Sequence, residues 1–317
     1  MVGNQRVITM SNFNTKRFGR AGNQFLQYMF LKSYAATHQC QLQLPSWVGN
    51  QLFGTNDPPI TVSLPSYREP VDAAANRQAL PPTRDALVGH DFVGYAQYHT
   101  SVYHDLALSK NEVRGLLQPV ASLRERLEPA RQLLTREDRL VIGLHIRRGD
   151  YGRRHFSLTP SSWFLQWLND HWWQYTQPDN PPVLFIATED PTVVEEFAAY
   201  HPVTATALGV ELNQEPMADY NYLPHDLETQ EPGQLDWYPD FYLLSQCHVV
   251  VASNSTFSFV AAMLNPSLQE LWRPSLPAAS FVLADPWNDY PLLRHKVQDF
   301  NHLEDIAVKA NPYWQSS

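Results

Sequence analysis

The apolar run Leu140-Val141-Ile142-Gly143-Leu144-His145-Ile146, which ends in Arg147-Arg148-Gly149-Asp150, constrains the fold more than any other stretch of the chain. It reads as a buried strand that delivers a polar cluster at its carboxyl end. The residues beyond it alternate between helix and strand. Ser161 to Trp172 is a helix opened by Thr159-Pro160. Val183 to Thr188 is a strand, and Pro191 to Tyr200 a helix with proline in its first turn. Glu211 to Pro239 is acidic, contains proline and reads as a long loop. Asp240 to Gln246 is then a short helix, His248 to Ser253 a strand and Thr256 to Leu264 another helix.

The first half carries the same rhythm. Val7 to Met10 opens as a strand, a turn from Phe18 to Gln24 holds two glycines, and Phe25 to His38 has near-helical apolar spacing. Gln41 to Leu44 is the next strand, stopped by Pro45. Gly54 to His90 has no sustained period and reads as an irregular insertion. Ser109 to Leu134 reads as helical, and a polar stretch, Thr135 to Arg139, follows it. Strand–helix alternation on both sides predicts an α/β fold of the GT-B-like kind, two Rossmann-like domains facing across a cleft. The expected domains are residues 1–138 and 139–317.

Composition limits the function classes. Of 317 residues 44% are apolar, enough for substantial cores. No run approaches the ~18 apolar residues of a membrane helix. Met1 to Thr15 lacks the charged start and apolar run of a signal peptide, so the expected location is cytoplasmic. Lys and Arg number 23 against 32 Asp and Glu, a net charge of −9 that argues against general nucleic-acid or anionic-membrane binding. The two cysteines, Cys40 and Cys247, have no zinc spacing, and Cys247 lies in an apolar run that suggests core packing.

On this acidic background Arg147, Arg148, Arg153 and Arg154 form a basic island directly after a buried strand. Open α/β sheets bind ligands at that end of a strand, and the planar fork of arginine suits phosphate. A structural salt-bridge cluster is the alternative. A second junction, Ala252-Ser253-Asn254-Ser255-Thr256-Phe257-Ser258, joins an apolar strand to a helix. It is either an anion site at a helix start or plain capping by Asn254 or Ser255. The third, Gly19 to Gln24, permits close approach but fits neither the GxGxxG nor the P-loop pattern. Trp163, Trp167, Trp172 and Trp173 could stack on sugars, although the spacing of Trp163 and Trp167 favours core packing.

His145-Ile146-Arg147-Arg148-Gly149-Asp150 resembles the HxRRGD motif of the alpha-1,2-, alpha-1,6- and protein O-fucosyltransferases. Gly19-Arg20-Ala21-Gly22-Asn23-Gln24 resembles their G-R-x-G-N-Q turn. Asp240 to Gln246, followed by Ser253 to Ser258, is similar to their third donor-binding region. Gly94-Tyr95-Ala96-Gln97 and the continuation Asp150-Tyr151 to Ser157-Leu158 resemble the alpha-1,2 branch, glycosyltransferase family 11.

The resemblance implies an inverting transfer of L-fucose from GDP-fucose to the 2-hydroxyl of a terminal β-galactoside. The N-terminal domain would shape the acceptor side and the C-terminal domain would hold the donor. Arg147 would bind the β-phosphate and stabilise the departing GDP. His145 and Asp240 would recognise guanine, and Ser255, Thr256 and Ser258 would contact the phosphates. Asn23, with the backbone of Gly22, would approach the fucose and β-phosphate. Arg148 and Asp150 would support the turn. No Asp-x-Asp occurs, which fits a reaction without a metal or other cofactor. For the base that takes the acceptor proton, Asp150, His155, Glu189, Asp190 and a donor phosphate oxygen stay open; the Lys and Glu of related enzymes are replaced here by Tyr151 and Gly152. Rivals are another HxRRGD fucosyltransferase, alpha-1,6 or protein O-type, and a non-catalytic sugar-nucleotide or glycan binder.

Overall fold

The computed structural model describes residues 6–13, 19–72, 78–136, 139–149, 151, 158–177, 180–212 and 234–293. They divide into two compact units, each drawn from several stretches of chain. The first comprises the described residues within Met1–Glu125, Leu212–Asp236 and Trp287–Pro291; the second comprises those within Arg126–Glu211, Trp237–Pro286 and Leu292–Ser317. The division thus falls ahead of the polar stretch Thr135 to Arg139, where the composition changes.

In the first unit, β1 (Val7–Thr9) leads to α1 (Ala21–Thr37), β2 (Gln41–Gln43) and the short α2 (Val48–Phe53). Then come β3 (Ser66–Arg68), β4 (Val71–Asp72), β5 (Gln78–Ala79) and β6 (Asp91–Val93). The sheet order is β2-β1-β6-β3 with every pair parallel; β4 and β5 form a separate antiparallel pair. The stretch read as an irregular insertion therefore supplies a sheet strand. β3 is the tripeptide Ser-Tyr-Arg at a sheet edge, part-exposed throughout, so it leaves no apolar run to read. Helix α1 is buried on nearly every side, and Phe13, Phe25 and Tyr28 close around Trp47 at ring separations of 4.8, 6.2 and 4.9 Å.

The helix expected over Ser109 to Leu134 is two, α3 (Lys110–Gly115) and α4 (Ala121–Leu134). Pro119 stands between them, and the residue before a proline is pushed out of helical geometry. Ser109 and Glu112 cap α3 reciprocally.

The second unit contains β7 (Val141–His145), α5 (Ser161–Tyr175), β8 (Val183–Ala187), α6 (Tyr238–Leu244), β9 (Val249–Ala252), α7 (Thr256–Leu264), β10 (Glu270–Ser275) and β11 (Ser280–Ala284). Pro191–Tyr200 winds as a 3-10 helix. The order is β11-β10-β9-β7-β8, parallel except for β11. All five residues of β7 are buried. Ile142, Leu144 and Ile146 pack with Phe164, Trp167, Leu168, Ile186 and Phe197. Trp163 and Trp172 lean on that core, whereas Trp173 is 69% exposed. Cys247 is wholly buried, and burial pushes its thiol pKa up. Residues 213–233 of the expected long loop lie outside the described residues.

In each of the two larger sheets the strand that comes first in the chain lies between two later ones. The chain goes from β7 to β8 on one side and places β9 on the other, and β1 is likewise flanked by β2 and β6. In open α/β sheets the crevice at the carboxyl ends of such a strand pair is the ligand site. The three sequence junctions follow β7, β9 and β1, and Gly94 to Gln97 follows β6. No described helix is long and apolar enough to cross a membrane.

Candidate functional site

At the β7–β9 switch point the turn after β7 is pinned by its neighbours. His145, the last residue of β7, lies between Ala187 of β8 and Ala252 of β9. It is 4% exposed, and its ring stacks on Phe257 at 5.1 Å and 28°. Its Nδ1 has no hydrogen-bond partner among the described residues. Burial, and then the neighbouring Arg147 charge, lower its pKa to about 3, so the imidazole is neutral at pH 7. Phe241 of α6 also meets Phe257, at 5.2 Å, which joins the helix carrying Asp240 in its first turn to this stack. Asp240 itself is partly exposed.

The two arginines have different tasks. The Arg147 backbone N–H donates to Ser253 Oγ at 3.0 Å, tying the turn after β7 to the turn after β9. Its guanidinium Nη1 lies 3.0 Å from Glu189 Oε1 and stands over the Tyr151 ring at 5.4 Å. Arg148 is buried; Nη1 donates to the carbonyls of Arg147 and Thr159, and Nη2 to Ser161 Oγ at 2.6 Å. Burial lowers its pKa against the raising effect of Glu196, Glu189 and Asp190. Arg148 is thus a strut for the turn, while the Arg147 side chain is 17% exposed.

Glu189, at the end of β8, is the anchor. The same Oε1 that pairs with Arg147 accepts the Arg148 backbone N–H at 2.9 Å. A Cβ on Gly149 would come within 3.0 Å of that oxygen, so glycine lets the turn close over it. Asp190 is engaged as the cap of the 3-10 helix, accepting from Thr192 N–H and Oγ1. Two of the base candidates are therefore committed elsewhere. The others, Asp150 and His155, lie outside the described residues, as do Arg153 and Arg154.

After β9 the expected capping is present, and Ser255 provides it by accepting the Phe257 N–H. Ser258 is fully buried and donates back to the Ser255 carbonyl; Thr256 is half-buried. Asn254 does not cap the helix: its amide exchanges hydrogen bonds with the Leu293 backbone, and its carbonyl accepts from Tyr151 Oη at 2.7 Å. The roles of Glu189 and Ser253 in seating Arg147 have no mark in local spacing, because each belongs to a different strand end.

The β1–β6 switch point is built from neutral amides. Gly19 has φ +94, and a Cβ there would lie 1.8 Å from Asn23 Nδ2, so the Asn23 side chain occupies the space glycine leaves. The Arg20 carbonyl accepts the N–H groups of Asn23 and Gln24, starting α1 just after Gly19, and Gly22 is buried in its first turn. Gln97, from the loop after β6, donates through Nε2 to Asn23 Oδ1 at 2.7 Å. Two segments singled out separately in the sequence therefore meet in one place.

No protein-family model and no curated protein matches the chain. Solved structures do. The NodZ alpha-1,6-fucosyltransferase co-crystallised with GDP is 14% identical, with 89% of this chain and 99% of that one covered and a TM-score of 0.52; NodZ is from Bradyrhizobium. NodZ soaked with GDP-fucose matches over the same shares at 12% identity and a TM-score of 0.51. A variant of Arabidopsis thaliana FUT1 in complex with GDP is 13% identical, over 91% of this chain and 76% of that one, with a TM-score of 0.55. The chain has the GT-B-like α/β fold of these fucosyltransferases.

Proposed function

We propose that the chain is an inverting alpha-1,2-fucosyltransferase that moves L-fucose from GDP-fucose to the 2-hydroxyl of a terminal β-galactoside. The observation that carries this reading is Arg147, held by Glu189, Ser253 and Tyr151 at the carboxyl end of β7 in a fold shared with GDP-bound fucosyltransferases.

As the bond from the fucose anomeric carbon to the β-phosphate oxygen breaks, negative charge grows on the departing GDP and positive charge on the sugar ring. The acceptor oxygen bonds to the opposite face, and its proton passes to Asp150, His155 or a β-phosphate oxygen. A guanidinium fixed in advance meets the growing negative charge without reorganising, which is the source of its catalytic effect. Arg147 would thereby do the work of a divalent cation, and no metal or other cofactor would be required. His145, neutral and stacked on Phe257, and Asp240 would receive the guanine; Ser255 and Thr256, at the start of α7, would receive the phosphates. Ser258 would act from behind, through the Ser255 carbonyl.

A second reading, alpha-1,6 transfer, is supported by the likeness to NodZ. One experiment separates these readings: GDP release from GDP-fucose in EDTA, with lactose and type 1 or type 2 disaccharides, followed by linkage analysis of the product. Acceptor-dependent release with a 2-linked product is expected. A 6-linked product would replace the proposal by the second reading, and GDP-fucose binding without turnover would make the chain a binder.

A further inference from the structure

The loop after β6 is braced more heavily than a simple connection requires. Gln27 of α1 donates from Nε2 to the Gly94 carbonyl at 3.0 Å. Glu69, next to β3, accepts the Tyr95 N–H through Oε2 and the Ala96 N–H through Oε1, both at 2.9 Å. Ala96 has φ +52, a left-handed conformation that a residue with a Cβ keeps only when its surroundings hold it there. The result of this bracing is the placement of Gln97, 3% exposed, with Nε2 on Asn23 Oδ1.

A carboxamide has one accepting end and one donating end. With Oδ1 taken by Gln97, Asn23 turns Nδ2 to the Gly19 turn, where the missing Cβ makes room for it. We propose that Gln97 is a positioning residue that fixes Asn23 as a hydrogen-bond donor, so that this turn meets the charge that grows on an oxygen in the transition state, such as that of a departing sugar-nucleotide phosphate. The phosphate identity rests on the GDP-fucose reading; the polarity of the pair does not.

The decisive variant is Gln97→Glu. A carboxylate only accepts, so Asn23 must offer it Nδ2 and turn Oδ1 towards the substrate side. The expected result is a fall of about a hundredfold in both kcat and kcat/KM, matching Asn23→Ala. The KM for GDP-fucose should change little, and the double variant should fall no further than either single one. Gln97→Met, which removes the donor without imposing an acceptor, should lose less. Thermal unfolding of each variant separates these effects from loss of fold. Wild-type rates in Gln97→Glu, or losses that multiply in the double variant, would overturn the proposal.

A readout without substrate completes the test. In protein labelled with [15N]asparagine, the Asn23 side-chain signal is identified by its absence in Asn23→Asp. One of its amide protons should move downfield in Gln97→Glu, through a charge-assisted bond, and not in Gln97→Met. An unmoved signal in Gln97→Glu overturns the pairing even if the protein never turns over GDP-fucose. A moved signal in a protein that neither binds nor uses GDP-fucose leaves the pairing intact and removes the fucosyltransferase reading instead.

Discussion

The two switch points place side chains at equivalent strand ends and hold them by opposite means. After β7 the turn is held by formal charge: Arg147 on Glu189, with the Arg148 backbone on the same carboxylate. After β1 it is held by neutral carboxamides, Asn23 on Gln97, in a pocket opened by Gly19. A charged turn supplies a field for charge that develops in a reaction, but it needs its own counter-charge to stay in place while empty. An amide turn adds no net charge and supplies direction alone. The charged turn belongs to the second unit and the amide turn to the first.

The largest effect should come from the charged turn. Arg147→Ala should reduce acceptor-dependent GDP release by about a hundred- to a thousandfold, the usual cost of one preorganised donor to a leaving oxyanion. Arg147→Lys keeps the charge but loses the planar fork and its stacking over Tyr151, so it should fall between the two. Circular dichroism establishes that the variants fold. A folded Arg147→Ala protein with full transfer would remove charge from the comparison altogether.

An intermediate effect belongs to the amide turn. Gly19→Ala places a Cβ on Asn23 Nδ2 and forces alanine to φ +94. The strain should cost about 1–2 kcal/mol of stability, and the displaced amide should lower the rate about ten- to a hundredfold. Gly89→Ala is the matched control. Gly89 also has a left-handed backbone, φ +75, but a Cβ there meets nothing within 4 Å. It should lose stability without losing rate. Equal rate losses in both variants would show that backbone strain, and not Asn23, explains the first.

The same comparison shows what the sequence could disclose. The charged turn was legible because a buried apolar strand and its polar tail are contiguous: Val141 to His145 forms β7, and Arg147 and Arg148 follow directly. The junction before α7 was legible for the same reason. What holds those residues was not. Glu189 lies 41 positions from Arg148 and Gln97 lies 74 from Asn23, and nothing in local spacing joins residues that far apart. Strands were missed where they are short or polar: Ser66–Arg68 has no apolar pattern, and β10 carries Arg273 and Pro274 next to an antiparallel partner. Trp163 and Trp167 were legible as core by helical spacing; Trp172, which also packs there, and Trp173, which is exposed, carried no such mark.

The smallest effect concerns His145 and is one of stability. Its folded pKa is about 3 against an ordinary value of 6.5, with burial the main cause and the Arg147 charge the second. Between those values the unfolded chain binds a proton that the folded chain refuses, so stability falls as pH falls through this window. Above pH 6.5 the contribution is flat; below it the loss approaches about 1.4 kcal/mol per pH unit until about pH 3. From pH 7.5 to pH 5 this amounts to about 2 kcal/mol. His145→Gln removes the titration, so the wild-type minus variant difference in urea unfolding should decline across that range, whatever the variant's constant offset. A flat difference would mean that the folded imidazole accepts a proton in this window. The positive charge after β7 would then not rest on the arginines alone, and the contrast with the uncharged turn after β1 would grow with acidity.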